Sequence, residues 1–147
     1  MKTLTVLGSI NADHVISVPH FVKPGETLLG HNYYIAYGGK GANQAVAAVR
    51  LGAKVNFIGC IGNDDIGRAM RNAFALDGIN TNPIITVNNE MTGIAMIQVS
   101  DSGENSIVIS AGANAYLDES QVEDSKQEII DSDYLLMQLE TPLPAII

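Results

Sequence analysis

The sequence is short of several residue types, and each shortage narrows the class of protein. Its 147 residues include one cysteine, Cys60, and no tryptophan, so no disulfide can form within the chain. A lone cysteine is typical of a reducing compartment, and we expect a cytoplasmic protein. Polar residues interrupt every apolar run before it reaches the ~20 residues needed to cross a bilayer, so we expect a soluble protein with no membrane partner.

Basic residues are also scarce. Eight Lys and Arg stand against sixteen Asp and Glu, a net charge of −8, which is the opposite of the balance needed to neutralise nucleic-acid phosphates. Nucleic acid is therefore not an expected partner. Hydrophobic residues make up 46% of the chain and charged residues 16%, which excludes disorder and coiled coil and predicts a single domain with one buried core.

Short apolar runs alternate with segments of helical periodicity. The runs at 4–10, 54–61 and 134–139 are short and rich in apolar residues, and they predict buried strands. Between the first and second runs, Ala and Val recur with helical spacing over 42–51. After the second run, a second helix is predicted from a cap at Asn63 or Asp64. Strand, helix, strand, helix is the order of a parallel sheet covered by helices, so the expected fold class is α/β.

Two regions carry the alternating pattern of antiparallel ribbon. Residues 14–37 alternate on either side of a turn at 23–26, and residues 92–110 alternate around a loop of turn formers at 101–105. The first pattern indicates an exposed ribbon that lies outside the main sheet, and the second indicates a hairpin.

The last part of the chain predicts two further elements. The acidic segment 117–130 has apolar residues spaced for one face of a helix, and the strand at 134–139 then ends at Glu140. Thr141 followed by Pro142 is typical of a helix start. The sequence stops about one turn later, so we interpret the chain as part of a longer protein, truncated in mid-element.

Polar side chains gather at predicted strand ends and at one helix start. Asn11 and Asp13 follow the first strand, Glu140 follows the last, and Lys40 and Asn43 open a helix in a glycine-rich loop. Taken singly, each is an ordinary turn former or helix start. Ligands of open parallel sheets bind at the carboxyl ends of strands, and carboxylates and amides exchange several hydrogen bonds with hydroxyl groups. The set favours a site for a polyhydroxylated ligand.

Other catalytic patterns do not fit. The glycine-rich loop at 38–41 is neither a Walker A loop nor a dinucleotide fingerprint. The three histidines lie in the predicted ribbon without ligand-type spacing, so no metal site is expected. Ser9 has no partner histidine, and Cys60 lies in an apolar strand, so neither is expected to act as a nucleophile.

Five stretches together resemble a known family. They are Gly8-Ser9-Ile10-Asn11-Ala12-Asp13, Pro24-Gly25-Glu26-Thr27, Gly38-Gly39-Lys40-Gly41-Ala42-Asn43-Gln44-Ala45, Ala111-Gly112-Ala113-Asn114 and Met137-Gln138-Leu139-Glu140. In this order the chain resembles the N-terminal half of the ribokinase-like (PfkB) carbohydrate kinases. The resemblance implies a three-layer α/β sandwich with a protruding β lid made of segments 14–37 and 92–110, truncated before the nucleotide-binding C-terminal half.

The resemblance also implies an activity, which is the phosphorylation of D-ribose at its 5-hydroxyl by ATP with Mg2+ and a monovalent cation, K+. It implies the following substrate-binding residues: Asn11, Ala12, Asp13, Gly39, Lys40, Gly41, Ala42, Asn43 and Glu140. The family's general base is the Asp of a Gly-Ala-Gly-Asp motif. The stretch 111–114 is similar but ends in Asn, which cannot take a proton as a carboxylate does, so no catalytic residue is expected in this chain. Family lids pair between subunits, so a homodimer is expected.

Two other hypotheses stay open at this point. A fructokinase-like or nucleoside kinase of the same family would share the fold, because a fold does not fix the sugar. A noncatalytic sugar-binding or dimerisation module, complete in 147 residues, is the alternative from another class of protein.

Overall fold

A computed structural model describes residues 1–147, which form eight strands and four short helices. In chain order they are β1 (Thr3–Leu7), β2 (Asn11–Val18), β3 (His31–Gly38), α1 (Lys40–Arg50), β4 (Lys54–Gly62), α2 (Asp65–Leu76), β5 (Ile84–Val87), β6 (Gly93–Ser100), β7 (Asn105–Ser110), α3 (Glu119–Asp124), α4 (Lys126–Ile130) and β8 (Tyr134–Met137). Single 3-10 turns lie at Gly112–Tyr116 and Leu143–Ala145. None of the helices combines the length and the apolar character that spanning a membrane requires.

The main sheet is parallel, with strand order β5-β4-β1-β8. On one face α1 and α2 cover the larger core, where the rings of Phe57 and Phe74 pack edge to face with centroids 5.8 Å apart. On the other face Ile58 and Leu117 belong to a second core, which the apolar sides of α3 and α4 complete. The result is the three-layer α/β sandwich that the family resemblance implies.

Four strands form a second sheet, here called the lid sheet, with the order β3-β2-β6-β7. The pairs β2–β3 and β6–β7 are antiparallel, and β2 and β6 run parallel in the middle. Asp13 lies opposite Ala36 and Ala95, and Ala95 lies opposite Ile109, so these four residues share one face of the lid sheet.

The strand predicted at 4–10 is shorter in the structure. It ends at Leu7, and Asn11 and Asp13, which were expected at its carboxyl end, belong to β2 of the lid sheet. The backbone amide of Ala42 donates to the carbonyl of Ser9 at 3.1 Å, which ties the connecting residues to the start of α1. The chain therefore crosses from one sheet to the other within three residues.

Three predictions for the chain after residue 80 need correction. The strand predicted as buried at 134–139 is β8, whose four residues are all exposed because β8 is an edge strand with no neighbour on its outer side. The acidic segment forms two helices with a break at Ser125 instead of one. The helix expected after Pro142 is a single 3-10 turn. β5 was not predicted, because a four-residue strand between polar turns gives too short a pattern.

Candidate functional site

The site lies where the main sheet, the lid sheet and the start of α1 meet. Gly39 precedes α1 with φ at 93°, a left-handed conformation that favours glycine. A Cβ on Gly41 would overlap the backbone of Gly8, so the helix start approaches the carboxyl end of β1 as closely as two glycines allow. This contact brings Lys40 next to residues that follow β1 and β8.

Glu140, three residues beyond β8, is held by two neighbours. Its Oε2 accepts from the Ser9 hydroxyl at 2.9 Å, and its Oε1 accepts from the Lys40 ammonium. Ser9 Oγ also accepts from the backbone amide of Lys40 at 3.1 Å. Burial raises the pKa of Glu140, but the hydrogen bonds from Lys40 and Ser9 and the Lys40 charge outweigh it and set that pKa below its ordinary value. Glu140 is therefore an ionised acceptor at neutral pH.

Asp13 approaches the same place from the lid sheet. Partial burial raises the pKa of its carboxyl, the charge of Glu140 raises it further, and His14 opposes both. The two carboxylates are thus close enough to interact. Lys40 forms an ion pair with Glu140, whereas no lysine or arginine pairs with Asp13. Such a pair of carboxylates accepts hydrogen bonds from ligand hydroxyls and favours donors over further acceptors.

A small cavity of about 90 Å³ lies at this junction. It is lined by the lid sheet and by the segments that follow β1, β7 and β8, and the residues are Ser9, Asn11, Ile109, Ala111, Asn114 and Glu140. Asn11 is almost fully buried, and its Oδ1 accepts from Asn114 Nδ2 at 2.9 Å. The arrangement offers a carboxylate, a hydroxyl and a carboxamide within one polar recess.

The structure brings together part of the predicted set. Asn11, Asp13, Lys40 and Glu140 meet at the junction. Ala12 and Ala42 are buried and leave only backbone groups for a ligand, while Gly39 and Gly41 shape the helix start.

Asn43 lies apart from this group. It is exposed on α1 and lines a separate groove of about 470 Å³ between α1 and α2, with Tyr37 and Phe74 among its neighbours.

Sequence reasoning missed two residues of the junction, Ser9 and Asn114. Ser9 was considered only as a nucleophile, and its contact with Glu140 spans 131 positions of sequence. Asn114 lies in one of the stretches that carry the family resemblance, and a polar residue in a turn that is otherwise apolar was the available signal.

The chain offers little for a metal ion or a nucleophile. No group of three or more His, Cys, Asp or Glu side chains is arranged to hold a metal ion. Burial raises the pKa of the Cys60 thiol to about 12, and Asp118 adds to the shift. A thiol with that pKa is not ionised at neutral pH, which agrees with a core role for Cys60.

Comparison with known proteins defines the class. The sequence pattern of the pfkB family carbohydrate kinases matches residues 1–145, and the chain belongs to this family. It is 69% identical to the ribokinase of Haemophilus influenzae over 145 residues, which are 99% of this chain and 47% of that protein. The family resemblance drawn from the five stretches is confirmed.

Solved structures agree with this assignment. The crystal structure of Sa239 is 37% identical with a TM-score of 0.94, over 99% of this chain and 48% of that one. Arabidopsis thaliana ribokinase, solved with ribose and ATP, is 32% identical with a TM-score of 0.86, over 99% and 49%. The ribokinase-like fold is confirmed, and the chain spans about half the length of the relatives it matches.

Proposed function

We propose that the chain is the sugar-binding part of an ATP-dependent kinase that phosphorylates D-ribose at its 5-hydroxyl. The observation that carries the proposal is the convergence of Asp13, Lys40 and Glu140 at the end of the parallel sheet, beneath the lid sheet. The 69% identity to the Haemophilus influenzae ribokinase supports ribose as the sugar. So does the Arabidopsis thaliana ribokinase, 32% identical, which was solved with ribose and ATP.

Each side chain of the junction then has a role toward the sugar. The carboxylates of Asp13 and Glu140 accept hydrogen bonds from ribose hydroxyls, and the Asn11 carboxamide donates to a sugar oxygen. Lys40 holds Glu140 ionised and in place. Backbone groups of Ala12, Gly39, Gly41 and Ala42 complete the proposed set. Asn43, exposed on α1 outside the junction, is its outlying member.

Phosphoryl transfer needs further groups. It depends on positioning of the phosphates and on a base for the hydroxyl proton, whereas Asp13 and Glu140 are here assigned to the sugar. We therefore assign ATP, Mg2+, K+ and the catalytic Asp to the part of the kinase that corresponds to the unmatched half of the relatives. Mg2+ would neutralise charge on the transferred phosphate when bound there.

The lid sheet is proposed to cover the sugar and to pair with the lid of a second copy. Its outer strands β3 and β7 expose apolar side chains, among them Tyr34, Ile107 and Val108. Closure over the site would keep water from the transferred phosphate and limit wasteful ATP hydrolysis.

Two measurements test the proposed function. In calorimetry, the 147-residue chain is expected to bind D-ribose more tightly than D-fructose or a nucleoside. In a kinase assay, a chimera in which residues 1–145 replace the matching part of the Haemophilus influenzae ribokinase is expected to phosphorylate ribose, while the 147-residue chain alone is expected to be inactive. A preference for fructose or a nucleoside in both assays would overturn ribose as the substrate, and activity of the chain alone would overturn the assignment of the base.

A further inference from the structure

Asn114 is a buried polar residue at the point where the chain returns from the lid sheet to the main sheet. It lies in the 3-10 turn Gly112–Tyr116 after β7 and is 3% exposed. Its carboxamide reaches across 104 positions of sequence to Ile10, in the connection between β1 and β2. One side chain therefore joins the segment that enters the lid sheet to the segment that leaves it.

The orientation of the Asn114 carboxamide follows from its partners. The backbone amide of Ile10 can only donate, and it donates to Asn114 Oδ1 at 2.9 Å. The carbonyl of Ile10 can only accept, and it accepts from Asn114 Nδ2 at 2.9 Å. Because these two bonds fix Nδ2 as the donor end, the Asn11 atom that it meets at 2.9 Å must be the carbonyl oxygen, Oδ1.

The orientation of Asn11 is determined in turn. Its Oδ1 is occupied by Asn114, so the Nδ2 group is the end left for a ligand in the cavity that Asn11 lines. Gly93 begins β6 opposite Asn11, and a Cβ there would overlap both Asn11 Oδ1 and Asn114 Nδ2. The contact between the two carboxamides is thus enclosed by the lid strand beside it.

We propose that Asn114 is a positioning residue that makes Asn11 a hydrogen-bond donor toward the sugar. The inference rests on the proposed function for its ligand, but the orientation of Asn11 rests only on the contacts above. Without Asn114, the Asn11 carboxamide is free to rotate or to present its oxygen. An oxygen beside the carboxylate of Glu140 would leave this side of the cavity with acceptors alone.

The test is a double-mutant cycle on ribose affinity in the 147-residue chain, measured by calorimetry. Asn114→Ala is expected to weaken ribose binding roughly tenfold in the parent, and to have no further effect when Asn11→Ala is already present. Asn114→Asp keeps the acceptor for the Ile10 amide but loses the donor to Asn11, and is expected to weaken binding at least as much. If Asn114→Ala does not fold, Asn114→Asp takes its place in the double-mutant cycle.

Asn56 supplies a matched control. It is a buried carboxamide that donates to Thr5 and accepts from Asn80, and none of these three residues lines the cavity at the junction. Asn56→Ala is expected to lower the midpoint of unfolding without changing ribose affinity. The proposal would be overturned if Asn114→Ala weakened binding equally in the Asn11→Ala background, or lowered the unfolding midpoint while leaving affinity unchanged.

A second measurement separates this inference from the proposed function. The side-chain NH2 signals of Asn11 in an NMR spectrum of the sugar-free chain report the orientation of its carboxamide directly. They are expected to move in Asn114→Ala and Asn114→Asp, and to stay in place in Asn56→Ala. If no sugar binds the parent, the proposed function fails, and unmoved Asn11 signals would still overturn the positioning role while shifted signals would support it.

Discussion

The main sheet and the lid sheet differ in how far their strands are buried. In β4 every residue after Lys54 is buried, because helices cover both faces of the main sheet. In β7 all six residues are exposed, since no helix packs against this edge strand. Stability is therefore concentrated in the main sheet, and the lid sheet is held chiefly where its strands cross back to the main sheet. The candidate site occupies that crossing region.

Side-chain hydrogen bonds are found where the chain passes between the main sheet and the lid sheet. Asp64 accepts from the backbone amide of Gly67 at 2.8 Å, where it caps α2. The same carboxylate accepts from the backbone amide and from the hydroxyl of Thr92, each at 2.7 Å, immediately before β6 leaves for the lid. Asn114 performs the corresponding task where β7 returns. Hydrogen bonds thus add to the apolar packing of Ala12 and Ile94 at the base of the lid sheet.

The largest effect should come from the core of the main sheet. Phe57 is fully buried against Phe74, so Phe57→Ala should lower the free energy of unfolding by about 3 to 5 kcal/mol. Val108 in the lid sheet is 70% exposed, and Val108→Ala should cost less than about 1 kcal/mol. Chemical denaturation of both variants measures the contrast. Equal losses would mean that the lid sheet is as strongly packed as the main sheet.

A smaller loss of stability is expected at Asp64, which holds the residue before β6. Asp64→Ala removes three hydrogen bonds and should cost about 2 to 3 kcal/mol at neutral pH. The control is Asp65→Ala, because the Asp65 side chain is fully exposed and bonds only to Arg68, and its loss should be less than about 1 kcal/mol.

The effect at Asp64 should also depend on pH. Burial raises the pKa of this carboxyl, but the bonds from Thr92 and Gly67 and the charge of Arg68 outweigh it and lower the pKa below its ordinary value. Folding therefore favours the ionised form, and the stabilisation is present above the unfolded pKa of about 3.9 and lost as pH falls through the folded value. Denaturation at pH 7 and at acid pH should show the gap between parent and Asp64→Ala closing, and a gap that widens on acidification would contradict this.

The sequence predicts the main sheet better than its junction with the lid sheet. Phe57 lies in a short run of mostly apolar residues, so β4 is visible as a buried strand. Asn11 and Asp13 lie only four and six residues after Leu7. No local pattern shows that the chain passes from one sheet to the other between Leu7 and Asn11. The exposure of β8 was also beyond prediction, because its apolar run reads as buried whether or not a neighbouring strand is present.

Prediction from the sequence is limited in the same way for the candidate site. Glycines around α1 and polar residues at strand ends mark Lys40 and Glu140 as candidate site residues, because both features act through backbone geometry that short motifs encode. The partners Ser9 and Asn114 act through contacts across more than 100 positions. Such contacts depend on how the sheets pack, which residue spacing does not report.

Asp13 allows function to be separated from stability at the junction. Its carboxylate has no cationic partner and is only partly buried, so Asp13→Ala should weaken ribose binding by about 1.5 to 3 kcal/mol with little change in unfolding. Asp101→Ala, at the exposed tip of the β6–β7 hairpin, should alter neither property. Calorimetry with ribose and denaturation of each variant give the two values. Unchanged affinity with a large loss of stability would instead make Asp13 a residue that shapes the turn into β2.

Substitutions on the exposed faces of β7, which test the proposed pairing of lid sheets, should have the smallest effect on the free energy of unfolding. Val108 and Ile107 point to opposite faces of β7, and both are largely exposed. Replacing either by Glu should change the free energy of unfolding of the single chain by less than about 1 kcal/mol, because little packing is lost. If one of these faces contacts a second copy, a charge there must be desolvated on association, so sedimentation of the kinase chimera should show monomers for the variant on that face. Loss of ribose affinity together with the dimer would link closure of the lid to pairing, while a dimer that survives both substitutions would show that copies associate through another surface.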